Sequence, residues 1–177
     1  MGSEVILRVT VLSETTINPI TKMGERAGIC WGADITDPKK NYKRGMSCLE
    51  SNHGRVLEYV DVELCIENVS ARVVREYYTH IGGSPTRLQA STRYSLDEDT
   101  PFEFIIPNSI STNQKCNEIY KNAMQNIWES IKLLKELDTP NEDATMLLPL
   151  GSSTKIVDKR NLRNHIDMSH SRLCKIS

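Results

Sequence analysis

From Ile110 to Leu137 the chain sets Ile119, Ala123, Ile127, Ile131 and Leu134 on one stripe of a long helix, with charged side chains opposite. A helix of that length cannot shield its own stripe, so it reads as the scaffold of a layered fold. Asp138-Thr139-Pro140-Asn141 closes it. The other strong pattern is Tyr59-Val60-Asp61-Val62-Glu63-Leu64-Cys65-Ile66, where apolar and acidic residues alternate with the period of a strand that has one wet face.

The remaining elements follow from shorter signals. Val5 to Leu12 suits a strand. Thr16 to Trp31 carries Pro19 near its start and Ile20, Met23, Ala27 and Cys30 at helical spacing, with Gly32 as the stop. Tyr42 to Ser51 repeats the pattern and ends at Asn52-His53-Gly54, which leaves His53 at a helix exit. From Ser70 a helical stripe of Val73, Val74, Tyr77 and Tyr78 runs until Gly82-Gly83 and Pro85, and a polar loop follows to about Ser91. Pro149 and Gly151 frame a second loop, Ser153 to Asp158 reads as a short strand, and Asn161 caps a last helix through Arg172.

The length of 177 residues and the 38% hydrophobic content suit one core and a single domain over residues 1–177. A net charge of -1 supplies no bulk field for a nucleic acid polymer or an anionic membrane, so any anion needs a local pocket. Cys30, Cys48, Cys65, Cys116 and Cys174 form no CxxC pair and no metal-ligand spacing to a histidine; they read as buried thiols in a reducing cytoplasm, and no metal is expected. No apolar run is long enough to span a bilayer.

Three polar constellations remain. Ser84 to Tyr94 is rich in small residues and holds Arg87 and Arg93; hydroxyls, backbone N–H groups and a forked guanidinium suit a phosphate, and the same composition suits a solvated connector. On the last helix, at about 100° per residue, Arg172 returns to within roughly 20° of Asn161, whereas Asp167 falls about 120° away. His165 and His170 lack a carboxylate or Cys partner at ligand spacing there, and a plain polar surface helix fits the same residues. The third, Asn52 to Glu58, places a histidine and an arginine just before the alternating strand. A nucleophile elbow, an activated cysteine and the glycine loops of dinucleotide or P-loop sites are absent.

In order and spacing these pieces resemble the flavin-dependent thymidylate synthase family. His53 through Glu58 resembles its Gly-His-x-x-x-x-Glu segment, with Asn52 in place of Gly, and Val73 to Ile81 resembles the helix leading into its Arg-His-Arg signature. Gln89 to Tyr94 completes that signature, while Leu148-Pro149-Leu150, Asn161-Leu162-Arg163 and Arg172-Leu173 resemble the closing loop and helix.

The resemblance implies an α+β fold with a mixed or antiparallel sheet packed with long helices. It implies FAD-dependent reductive methylation of dUMP to dTMP, with methylenetetrahydrofolate and NADPH as co-substrates, in a cytoplasmic homotetramer. By position, His53, His80, Asn161, Arg163 and Asp167 would contact FAD, and Gln89 would serve both cofactor and nucleotide. Glu76, Ser91 and Arg93 would hold the nucleotide, and Arg172 would face the pyrimidine as the catalytic residue, stabilising charge that develops on the ring. The chain departs from the family at Thr79 and Ile81, which flank His80 in place of arginines, at Thr145, where many members carry a substrate-binding Arg, and after Arg172, where the usual Gln-Trp-Glu stretch is missing and the domain reads as ending early. Arg87, Arg55 and Arg75 are candidates to replace the lost charge. Another uridine nucleotide as acceptor, and a non-catalytic flavin- or nucleotide-binding relative, stay open as alternatives.

Overall fold

The computed structural model describes residues 5–82, 85–91 and 100–173. In chain order the elements are β1 (Arg8–Val11), α1 (Pro19–Cys30), α2 (Pro38–Glu50), a 3-10 turn (Gly54–Tyr59), β2 (Asp61–Ser70), α3 (Ala71–Tyr77), β3 (Thr86–Gln89), α4 (Asn108–Ser111), α5 (Gln114–Glu136), α6 (Asn141–Ala144), a second 3-10 turn (Thr145–Leu147), β4 (Ser153–Asn161) and α7 (Leu162–Arg172). The fold is α+β, as expected. The strands form one sheet in the order β1-β2-β4-β3. Its pairs run antiparallel: Arg8 meets Glu67 while Leu12 N–H donates to Glu63, and Ala71 donates to Ser152 while Leu162 donates to Val60. No helix among the described residues is long and apolar enough to cross a membrane.

Local chemistry explains most element ends. Pro19 opens α1 in its first turn and Gly32, at φ 64°, adopts the left-handed conformation just beyond it. The Asp37 carboxylate accepts from Lys39 N–H and Lys40 N–H, so α2 begins at Pro38, a turn earlier than its apolar stripe predicts. Ser70 caps α3 by accepting from Val73 N–H. The expected polar loop before Ser91 instead contains β3, whose end is tied to β4 where Ala90 N–H donates to Lys155 O at 2.9 Å. Its one apolar residue, Leu88, is exposed, so no periodic signal marks the strand.

The described residues group into two compact units, the first taking in Ile66–Thr79 and Leu88–Ile156, the second Thr10–Cys65, His80–Arg87 and the chain from Val157 onward. In the first unit α5 presents Met124, Trp128 and Ile131, with Tyr120, Ile127 and Leu134 beside them, to Phe102, Phe104, Ile106 and Ala144. The buried face is therefore rotated from the expected stripe, for Ile119 is 62% exposed. A smaller cluster joins Val69, Val74 and Ile156.

In the second unit α1 and α2 approach almost backbone to backbone. A Cβ at Gly24 would collide with the Asn41 carbonyl oxygen, and one at Gly45 with the Ile20 carbonyl oxygen. Buried Asn41 donates from Nδ2 to Ile35 O at 2.8 Å, and Arg44 donates to Gly24 O and Asn41 Oδ1, sealing the joint. Gly24→Ala gains helix propensity but must push α2 away, so a net loss on the order of 2 kcal/mol is expected in urea unfolding. An unchanged midpoint would show that the two helices are not in close contact.

Candidate functional site

The polar residues singled out in the second unit gather along β4 and α7. Along β4 the alternate residues Ile156, Asp158 and Arg160 are buried, so one face of the strand changes from apolar to ionic toward its end. Arg160 Nε donates to Asp158 Oδ2 at 2.7 Å, with side chains only 1% and 0% exposed. The same guanidinium donates from Nη1 to the His80 carbonyl oxygen at 3.1 Å.

Asn161 ends the strand and caps α7, its Oδ1 accepting from Asn164 N–H at 3.0 Å. Its side chain oxygen is thus engaged in the cap rather than presented with Arg172 on one helix face. Arg163, in the first turn of α7, donates to Glu58 Oε1 at 2.8 Å, and Arg55 reaches the other oxygen of the same carboxylate. The Arg163 guanidinium carbon lies 4.0 Å from where a Cβ would stand on Gly54, so this end of α7 lies against the turn that starts after His53. His53 itself is exposed.

At the far end of α7, Arg172 Nε–H donates to His80 Nε2 at 2.6 Å. An imidazole nitrogen can accept only when it carries no proton. Burial, reinforced by the Arg172 and Arg160 charges, lowers the His80 pKa from 6.5, which keeps that lone pair available. On α7, burial also lowers the His165 pKa; Arg160 acts in the same direction, whereas Asp158 and the Val62 backbone oppose it. His165 Nε2 and Asn164 Nδ2 are buried with no hydrogen-bond partner among the described residues. Asp167, also on α7, is exposed.

Glu76, Gln89 and Ser91 belong to the first unit and are exposed, Gln89 closing β3. Arg93 lies outside the described residues. Thr145 is only 7% exposed and its hydroxyl donates to Glu142 O at 3.1 Å, a packing position rather than a cation's. Within the second unit, then, the chain joins His80 to Arg172, and Arg163 to the turn after His53. The Asp158–Arg160 pair and His165 complete this arrangement, and sequence reasoning did not assign them. An available signal was the spacing Asp158-x-Arg160, which puts opposite charges on one face of a strand whose preceding in-register residue is Ile156.

The sequence profile of the family described as "Thymidylate synthase complementing protein" matches residues 11–176. Proteins named flavin-dependent thymidylate synthase are similar to this chain. That of Geobacter sulfurreducens is 29% identical over 70% of this chain and 52% of its own length, and that of Pyrococcus abyssi 34% identical over 70% and 50%. The chain spans about half the length of the curated relatives it matches. Among solved structures, a UMP/dUMP methylase from Streptomyces cacaoi bound with 5-Br dUMP superposes with a TM-score of 0.74 at 14% identity, covering 93% of this chain and 76% of that one, which is a likeness of fold.

Asp158→Ala should remove about 3–5 kcal/mol of unfolding free energy, because it leaves the Arg160 charge buried without its partner. The double change Asp158→Leu with Arg160→Met should recover most of that loss in the same denaturant titration, and equal losses in both would contradict the account. Both histidines should titrate below 6.5 by NMR, with Arg172→Ala raising the His80 value. Because their folded pKa values are depressed, the unfolded chain binds more protons between those values and 6.5. Stability should therefore fall as pH drops through that window and level off above it.

Proposed function

The chain belongs to the thymidylate synthase complementing protein family, and on that premise we propose that it carries the flavin and nucleotide site of an enzyme that methylates dUMP to dTMP. The curated relatives named flavin-dependent thymidylate synthase support this reading, as does the solved structure that bears a dUMP analogue. The observation in this chain that carries it is the contact between Arg172 and His80. It sets a permanently charged guanidinium against a neutral imidazole, at the point where the resemblance puts pyrimidine and flavin side by side.

The donor set suits FAD. Arg163 is 47% exposed and one of its nitrogens is engaged with Glu58, leaving further N–H groups directed elsewhere, while Asn164 Nδ2 is a buried donor with no acceptor among the described residues. Such groups match the carbonyl and phosphate oxygens of a flavin dinucleotide. His53, His80, Asn161, Arg163 and Asp167 would hold it, with Gln89 at the border between flavin and nucleotide. Reduced flavin would supply the hydride, methylenetetrahydrofolate the carbon and NADPH the electrons.

On the nucleotide side, Ser91 and Arg93 would take the phosphate, and Glu76 and Gln89 the remaining contacts. Arg172 would stabilise negative charge on the pyrimidine ring during transfer. The cations lost at Thr79, Ile81 and Thr145 must come from elsewhere, since buried Thr145 already donates its hydroxyl within its own turn. A homotetramer in the cytoplasm, in which neighbouring copies complete each site, is part of the same proposal.

The purified chain should bind FAD, turn yellow, and form dTMP from dUMP, methylenetetrahydrofolate and NADPH. Arg172→Ala should lower kcat by about 10²–10³-fold while flavin stays bound. Turnover of UMP in preference to dUMP would move the acceptor to another uridine nucleotide. Tight flavin binding without reoxidation by any substrate would make the chain a binding relative, and a colourless protein inactive with added FAD would overturn the reading.

A further inference from the structure

The first unit contains a concavity apart from the candidate site. Pro101, Phe102 and Phe104 on one side, and Lys121, Asn122, Met124, Gln125 and Trp128 of α5 on the other, enclose about 340 Å³. None of these residues is assigned to flavin or nucleotide. The α5 positions run i, i+1, i+3, i+4 and i+7, which is one helix face, so the pocket lies along that helix.

Its floor is aromatic and closely packed. Phe102, Phe104, Met124 and Trp128 are 5–7% exposed, and the two phenyl rings meet edge to face at 6.3 Å. Its rim is polar and only partly engaged. Gln125 donates its amide to Glu129 at 3.1 Å, while Lys121 pairs with no carboxylate among the described residues. Lys121 is partly buried, and an ammonium with no carboxylate partner among the described residues, set beside an aromatic floor, attracts an anion whose body is flat and apolar.

Size narrows the ligand further. A cavity of about 150 Å³ takes one benzene ring, so this one has room for about two fused rings. We propose that this pocket binds a two-ring aromatic or heteroaromatic molecule carrying one anionic group, with the rings against Phe102, Phe104 and Trp128 and the anion on Lys121.

The test uses 2-naphthoate as probe and 2-naphthalenemethanol as its uncharged counterpart, titrated against the full chain by calorimetry or ligand-observed NMR. Saturable naphthoate binding is expected. Lys121→Gln should weaken it about tenfold, the loss of one charge-assisted contact, and leave the alcohol within about twofold. Asn122→Trp, a change at an exposed rim position, should block both ligands without moving the melting temperature. Absence of saturable naphthoate binding to the unaltered chain would overturn the proposal. So would binding that both substitutions leave unchanged, and loss with Asn122→Trp but not with Lys121→Gln would remove the anionic part of the assignment.

Discussion

Two charges removed from water carry a desolvation penalty of several kcal/mol each, and Asp158 and Arg160 offset it only by close mutual contact and further hydrogen bonds. That requirement organises the second unit. The Arg160 fork must find oxygen in more than one direction, and the His80 carbonyl supplies one acceptor. The segment carrying His80 is thereby tied to the end of β4, with the ring nitrogen in reach of Arg172. A hydrophobic pair of equal volume would fill the same space, but it would make no directional demand on the chain at His80.

Signals that act within a few residues were legible in the sequence. Pro19 and Gly32 bracket α1, Ser70 starts α3, and Asn161 starts α7, because each fixes backbone geometry or satisfies a nearby N–H by itself. The start of α2 was harder to see because its first turn holds Lys39 and Lys40 and extends no apolar stripe. β3 was illegible for a different reason. Thr86-Arg87-Leu88-Gln89 has no alternation with a buried side, and the strand is tied in by pairing with residues far along the chain. On α5 two apolar stripes lie one residue apart, and the aromatic surface of Phe102 and Phe104 selects the one through Tyr120, Met124 and Trp128.

The candidate site was legible where family-like residues are also structural. Asn161 is found from its capping role, Arg172 from its helical spacing to Asn161, and Arg163 only from the family resemblance. Its electrostatic support was not, because a search for apolar periodicity passes over a strand face that turns ionic after Ile156. Thr145 shows the converse. A substitution that looks like the loss of a functional charge is, in three dimensions, a buried hydroxyl closing a turn.

β4 ends at Asn161 and α7 begins at Leu162, with no residue between them to absorb a change of direction. The strand's register and the helix's rotation are therefore one variable. A one-residue slip of β4 would send Asp158 and Arg160 to the opposite face and turn α7 by about 100°, carrying Arg163 and Arg172 away from their partners together. The ion pair resists that slip from the strand side and the Asn161 cap from the helix side. Through this junction, the pairing of a sheet becomes the alignment setting of the candidate site.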